Sequence, residues 1–214
     1  MSKISAAITA VGAYVPEYVL TNKILETMVD TNDEWITSRT GIKERRILKG
    51  EGKGTSYMAI KAAKNLIDKK GINPEDIDLV IVATATPDMQ AAATAAYTAT
   101  QIGAVNAFSF DLEAACSSFL FGMSTAAKYI ESGKYKKVLL IGADKNSSMI
   151  NYKDRATCII FGDGAGAVLF EPNEEGLGLQ DEYLRSDGSG RDFLQATYGG
   201  SSYPSTPEAV SEGK

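Results

Sequence analysis

The clearest apolar pattern in the chain is Leu79-Val80-Ile81-Val82-Ala83-Thr84, an unbroken β-branched run bounded by turn residues. Such a run predicts a strand covered on both faces, as in the parallel sheets of α/β proteins. Residues 137–143 (Lys-Val-Leu-Leu-Ile-Gly-Ala) and 165–170 (Ala-Gly-Ala-Val-Leu-Phe) have the same character, and residues 107–112 alternate apolar with polar positions. Residues 4–15 read as a strand interrupted by Gly12, residues 43–48 as a short one, and residues 177–184 as one more. Between these lie stretches with helical spacing. In residues 55–70, Ala59, Ala62, Ala63, Leu66 and Ile67 share a face and Gly71 follows as the stop. Residues 91–102 predict a helix ended by Gly103, and residues 119–130 another closed by Gly133. Two short helices are predicted over 21–29 and 32–40. Asn32 or Thr31 caps the second, Asp33 and Glu34 occupy its first turn, and Gly41 ends it. Asn73-Pro74-Glu75-Asp76 predicts one helical turn with proline at its first position.

Strand and helix therefore alternate, which predicts an α/β layered fold with a largely parallel sheet and right-handed crossovers. Residues 147–158 read as polar and irregular, and residues 186–191 as a turn-rich loop. Residues 198–214 are rich in Gly, Ser, Pro and Thr and predict loop or tail with no closing element. With 214 residues, 44% of them hydrophobic, the composition is that of a globular protein. No apolar run is long enough for a membrane helix, and residues 1–8 lack the basic and apolar regions of a signal peptide. A net charge of -5 argues against a nucleic-acid binder. Two cysteines give no disulfide framework, and a reducing, cytoplasmic setting is expected. The local basic cluster Arg39, Lys43, Arg45, Arg46 and Lys49 reads as a solvated face.

Candidate chemistry centres on Cys116, placed where the strand of 107–112 turns sharply into the helix of 119–130. Free N–H groups and the positive end of a helix favour a thiolate there, which suits a nucleophile that accepts an acyl group. Position alone leaves a second reading open, a small buried apolar cysteine. Cys158 lies beside Ile159 and Ile160 and reads as a buried structural cysteine. Histidine is absent, which removes the commonest base for a thiol enzyme, and no residues show metal-ligand spacing, so no metal is expected. Gly162-Asp163-Gly164-Ala165-Gly166 lacks the ending of a phosphate-binding loop and reads as a tight turn where backbones approach closely. Trp35, the sole tryptophan, reads on its own as a core residue of an amphipathic helix, with Arg39 on the same helix face four residues on.

Several segments together resemble β-ketoacyl-acyl carrier protein synthase III, the initiating condensing enzyme of type II fatty acid synthesis. They are residues 31–42 (Thr-Asn-Asp-Glu-Trp-Ile-Thr-Ser-Arg-Thr-Gly-Ile), 83–88 (Ala-Thr-Ala-Thr-Pro-Asp), 111–118 around Cys116, and Asp154-Arg155 with residues 160–167. The resemblance implies a thiolase-like fold, in which two similar α/β halves sandwich buried helices. Residues 1–172 would supply the N-terminal half, carrying the nucleophile, and 173–214 the truncated start of the C-terminal half. It implies Cys116 as the acylated nucleophile and Thr31, Trp35, Arg39 and Arg155 as the coenzyme A site. On its own, Arg155 reads as a surface salt bridge. The substrates implied are acyl-CoA and malonyl-acyl carrier protein, with no cofactor, and the full-length protein would be a homodimer. The family's catalytic histidine and asparagine have no counterpart in this chain, which makes the chain alone inactive in condensation. Residues 88–93 (Asp-Met-Gln-Ala-Ala-Ala) also depart from the family pattern of a proline, a serine and a larger apolar side chain, in the segment that approaches a neighbouring subunit's site. Two other readings remain: a thiolase-fold fragment that only binds coenzyme A or a partner, and a sister condensing enzyme, such as a hydroxymethylglutaryl-CoA synthase or a long-chain β-ketoacyl synthase. The Trp35 and Arg39 segment favours the initiating synthase.

Overall fold

The computed structural model of the chain describes residues 4–212. The expectations for the extreme N-terminus and for the last two residues of the tail lie outside these. A five-stranded sheet is built from β1 (Ser5–Tyr14), β4 (Leu79–Ala83), β5 (Phe108–Leu112), β6 (Val138–Lys145) and β7 (Asp163–Asn173), in the order β1-β7-β6-β4-β5. β4 pairs in parallel with both β5 and β6, whereas β7 pairs antiparallel with β6 and with β1. The sheet is thus mixed, not largely parallel. The reason is visible in the connections. No long helix separates β6 from β7; the link is an irregular stretch with α6 (Arg155–Cys158), so the chain returns antiparallel. A two-stranded ribbon of β2 (Tyr18–Thr21) and β3 (Glu44–Ile47) stands beside the sheet, and β2 lies in a stretch the sequence pattern did not mark as a strand.

Side-chain alternation sorts the sheet into two faces. Val80, Val82, Leu139, Ile141, Ala167 and Leu169 pack under α3 (Thr55–Lys70) and α4 (Thr94–Ile102). Leu79, Ile81, Val138, Leu140, Val168 and Phe170 pack under α5 (Ser118–Glu131). Right-handed crossovers explain this division: β4 steps one way to β5 through α4, β5 steps back across β4 to β6 through α5, so the two helices fall on opposite faces. α3 lies so close to β1 that a Cβ on Gly12 would collide with the Ala62 carbonyl oxygen. A third apolar cluster joins the ribbon, α1 (Asn22–Leu25), α2 (Asp33–Thr40) and α6 through Leu20, Leu25, Ile36, Ile47, Cys158 and Ile159.

The helix of 55–70 has the expected bounds, and Asn32 and Gly41 cap α2 as expected. Elsewhere the pattern misleads. α1 is much shorter than the apolar stretch 21–29. Residues 177–184 form no strand, although Leu179 N–H reaches the Ala6 carbonyl at the edge of β1. The stretch called irregular at 147–158 holds a 3₁₀ turn at Asn146–Ser148 and α6. The supposed tail contains α7 (Pro207–Ser211), capped by Thr206 and started by proline, after a 3₁₀ stretch over Gly188–Phe193. Gly164 and Gly166 lie within β7 and not in a turn.

Neither α3 nor α4 carries its own side-chain cap; their N-cap residues are Gly54 and Ala93. Carboxylates from other segments take that place. Asp88 Oδ1 accepts the Ser56 N–H at 2.9 Å, and both oxygens of Asp111, on β5, accept the first N–H groups of α4 (Thr94 and Ala95) at 2.7 Å each. Loss of an N-cap acceptor costs about 1–2 kcal/mol. Asp111→Ala is therefore expected to lower unfolding free energy by about that amount in urea titration, with α4 losing amide-exchange protection first.

Candidate active site

Cys116 lies in a 3₁₀ turn, Ala115–Ser117, between the end of β5 and the start of α5. The loops that leave β4 and β5 diverge to opposite faces of the sheet, and the crevice between such loops, beyond the carboxyl ends of parallel strands, is the usual ligand position in open α/β sheets. The thiol is exposed, so the buried-cysteine reading of Cys116 falls; Cys158 is the buried one. Ala115 adopts φ +48°, a left-handed conformation that a residue with a Cβ enters only at a cost. The turn is held from both sides. The Ser118 hydroxyl accepts from Ala114 N–H at 2.6 Å and donates to the Ala115 carbonyl at 2.7 Å, and Glu113 Oε1 accepts from Ala115 N–H at 2.9 Å. Ser117 N–H donates to the Ala114 carbonyl.

A cavity of about 250 Å³ opens beside the sulfur. Its floor is the sheet face that carries Ala83, Gly142, Asp144, Gly164 and Gly166, with Phe119 and Asn146 at its sides. In the ladder Gly142 stands opposite Gly166 and Asp144 opposite Gly164. Lower on the same face stand Ile81, Leu140 and Val168. Apart from Asp144, the side chains therefore step from large to a methyl group or none as the sheet approaches Cys116, and that step opens the cavity. Asp144 anchors its rim: Oδ1 accepts from Thr84 Oγ1 at 3.0 Å, Ala85 N–H at 2.9 Å and Thr86 Oγ1 at 3.1 Å. Asn146 donates to the Gly162 carbonyl at 3.2 Å.

A second cluster forms at α2 and α6. The Arg39 guanidinium carbon lies 4.5 Å, and that of Arg155 4.3 Å, from the Trp35 ring centroid. Trp35 is half-buried on the cluster formed by Leu20, Ile36 and Cys158, so it is core residue and platform at once. Arg155 thus stacks on a ring, and no salt bridge of it occurs among the described residues. Thr31 precedes the cap of α2; its Oγ1 is buried with no hydrogen-bond partner. The structure brings Trp35, Arg39 and Arg155 together and sets Thr31 at the head of the same helix. The Trp35 cluster and the Cys116 cavity are joined through the chain from Arg155 to Gly162.

That joining segment is held by Arg45. It is 4% exposed, against the expectation of a wholly solvated basic face. Its guanidinium donates to the Ile159 carbonyl through Nε at 2.9 Å and through Nη2, and to Asn22 Oδ1 through Nη1. Burial pushes its pKa down. Asp163, also buried, accepts from Leu48 N–H, Ser147 N–H and Ser147 Oγ. Burial, and next the neighbouring Asp154, push the Cys158 thiol up, while Arg45 pulls it down by a smaller amount. Sequence pattern missed Ser118, Asp144, Asp163 and Arg45. Only Asp144 carried a local signal, a charge placed directly after a buried strand run.

Comparison with known proteins is consistent with this geometry. Residues 110–188 match the family model of 3-Oxoacyl-[acyl-carrier-protein (ACP)] synthase III. The chain is 59% identical, over 95% of its length, to Beta-ketoacyl-[acyl-carrier-protein] synthase III 2 of Bacteroides thetaiotaomicron, of which it covers 61%. Among solved structures, that of 3-oxoacyl-[acyl-carrier-protein] synthase III from Aquifex aeolicus VF5 aligns with a TM-score of 0.75 at 48% identity, over 78% of this chain and 53% of the other. The Thermus thermophilus synthase III aligns with a TM-score of 0.82 at 43% identity, over 86% and 57% respectively. The chain thus spans about 61% of the length of the curated relative it matches. Its layers are those of a thiolase-like α/β fold, present in part.

The two cysteines should differ sharply in reactivity. Brief alkylation at neutral pH, mapped by peptide mass spectrometry, is expected to label Cys116 and spare Cys158. Cys158 should become labelled only after denaturation, because its thiol is both buried and shifted toward the neutral form.

Proposed function

We propose that this chain, which is similar to 3-oxoacyl-[acyl-carrier-protein] synthase III proteins over most of its length, is the nucleophile-bearing part of an enzyme that condenses an acyl-CoA primer, taken as acetyl-CoA, with malonyl-acyl carrier protein. The observation that carries the reading is the exposed Cys116 on a left-handed elbow that opens α5 into a cavity. In the first step the Cys116 thiolate attacks the thioester carbonyl. The carbon–sulfur bond to coenzyme A then breaks, and the coenzyme leaves as a thiolate that takes up a proton. The N–H groups of Ala114, Ala115, Ser117 and Ser118 all have acceptors within the turn, whereas none among the described residues faces the Cys116 N–H. That free donor suits the oxygen that gains charge during attack.

In the second step malonyl-acyl carrier protein loses carbon dioxide. The electron pair of the broken carbon–carbon bond forms an enolate, which attacks the acyl carbon and returns the thiolate to Cys116. The chain holds no histidine. The donors that stabilise the enolate are accordingly assigned to the part of the relatives' length that this chain does not span. Trp35, Arg39 and Arg155 form the coenzyme A platform in this reading, with Thr31 at its edge: an aromatic face for the adenine and two guanidinium groups for stacking or phosphate pairing. Residues 1–172 would be the nucleophile-bearing half and 173–214 the beginning of the second. Among the described residues the outer strand β5 pairs only with β4, and Tyr97, Val105 and Phe108 on and beside it are exposed, which supports association of full-length copies as a homodimer. A reducing cytoplasmic location fits two free thiols. A second reading, a coenzyme A binder without turnover, rests on the missing histidine.

Incubation with acetyl-CoA is expected to give one acetyl adduct, on Cys116. An adduct confined to Cys158, or none with coenzyme A still bound, would overturn the acyl-acceptor role; binding without an adduct would favour the second reading. Trp35→Ala should weaken coenzyme A binding by about 1–3 kcal/mol, by analogy with base stacking on aromatic side chains. The 214-residue chain alone should release no carbon dioxide from malonyl-acyl carrier protein where a full-length relative does.

A further inference from the structure

We propose that Ser118 is the positioning residue of Cys116, an inference that rests on Cys116 being the acyl acceptor. Ser118 is 4% exposed, lines the same cavity as the cysteine, and is the first residue of α5. Its hydroxyl acts in both directions at once. It accepts the Ala114 N–H at 2.6 Å and donates to the Ala115 carbonyl at 2.7 Å, and so ties the Glu113–Ala114 peptide unit to the Ala115–Cys116 one across Ala114 and the Ala115 Cα. That Cα is the strained one, at φ +48°. Left to itself an alanine leaves the left-handed region, at a gain of about 1–2 kcal/mol. The turn would then relax toward an ordinary helical or extended path, carrying the Cys116 sulfur and N–H away from the mouth of the cavity. Glu113 Oε1 holds Ala115 N–H at 2.9 Å, but from an exposed side chain in competition with water. The buried serine is the stronger of the two restraints. Neither residue touches the reacting atoms; Ser118 acts through the backbone of the residue before the nucleophile.

The test is the second-order rate of Cys116 alkylation by iodoacetamide in the full chain, resolved from Cys158 by peptide mass mapping. Thermal unfolding of each variant is followed by circular dichroism. Ser118→Ala is expected to slow alkylation on the order of tenfold at an unchanged far-ultraviolet spectrum, since sub-ångström misplacement of a reacting group is costly. Ser118→Thr, which keeps a hydroxyl, is expected to restore the rate. Ala115→Val, whose β-branched side chain resists positive φ, should slow alkylation as Ser118→Ala does. The proposal is overturned if Ser118→Ala reacts at the parental rate, or if Ser118→Thr is as slow as Ser118→Ala. Should Ser118→Ala fail to fold, a parental rate in Ala115→Val overturns it. Acetylation of the parent by acetyl-CoA is measured alongside. If the parent is never acetylated at Cys116, the functional reading fails whatever the alkylation rates; if it is acetylated and the variants alkylate at parental rates, only the positioning role fails.

Discussion

At one end of the sheet, carboxylates gather backbone N–H groups that would otherwise be orphaned. Asp111 takes the first two of α4, Asp88 one of the first turn of α3, Asp144 the Ala85 N–H together with two threonine hydroxyls, and Asp163 the N–H groups of Leu48 and Ser147. β4, β5 and β6 run parallel and β7 runs back against β6, so all these aspartates stand at the same edge. Helices that begin with glycine or alanine at the cap position cannot satisfy themselves, and an unmet buried N–H costs about as much as a lost hydrogen bond. The loops at this edge are therefore fixed by specific acceptors from distant parts of the chain. One of them, Asp144, lines the cavity beside Cys116.

The cavity follows from the same edge. Apolar side chains fill the middle of the sheet, where α5 presses on Leu140 and Val168. Toward the aspartates the floor passes to Ala83, Gly142 and Gly166, and α5 gives way to the elbow. A Cβ on Gly142 would lie 2.9 Å from the Phe119 ring, whereas one on Gly166 would meet nothing within 4 Å. The first glycine is thus required by packing and the second only by the space it leaves. Leu120 of α5 is 58% exposed, and Val11 and Val15 are likewise uncovered.

What could be read in the sequence was local. The β-branched run at 79–84, the 3.6-residue spacing of 55–70 and the cap signals Asn32 and Gly41 depend on neighbours within one turn or strand, and the structure has them where expected. The position of Cys116 between strand and helix was legible for the same reason. Antiparallel β7 was not, because direction depends on which strand it pairs with and not on its own pattern. The strand expected over 177–184 failed because alternation alone does not supply a partner edge. Arg45 was misread because its acceptors, Ile159 and Asn22, lie 114 and 23 residues away. Of the candidate site, the residue types were visible; the stacking of Arg39 and Arg155 on one ring required knowing that α6 folds back against α2.

Trp35 also has an optical consequence. It is the chain's only tryptophan, and it sits on the small apolar cluster of the ribbon corner, apart from both faces of the main sheet. Indole emission therefore reports the opening of that corner, and circular dichroism reports the large helices of the sheet layers. Should the corner loosen before the sheet, the two signals would trace different transitions on the same sample, and a single unfolding free energy would no longer describe the chain. The ring on which Arg39 and Arg155 stack thus doubles as a built-in emitter for the cohesion of the corner that carries it.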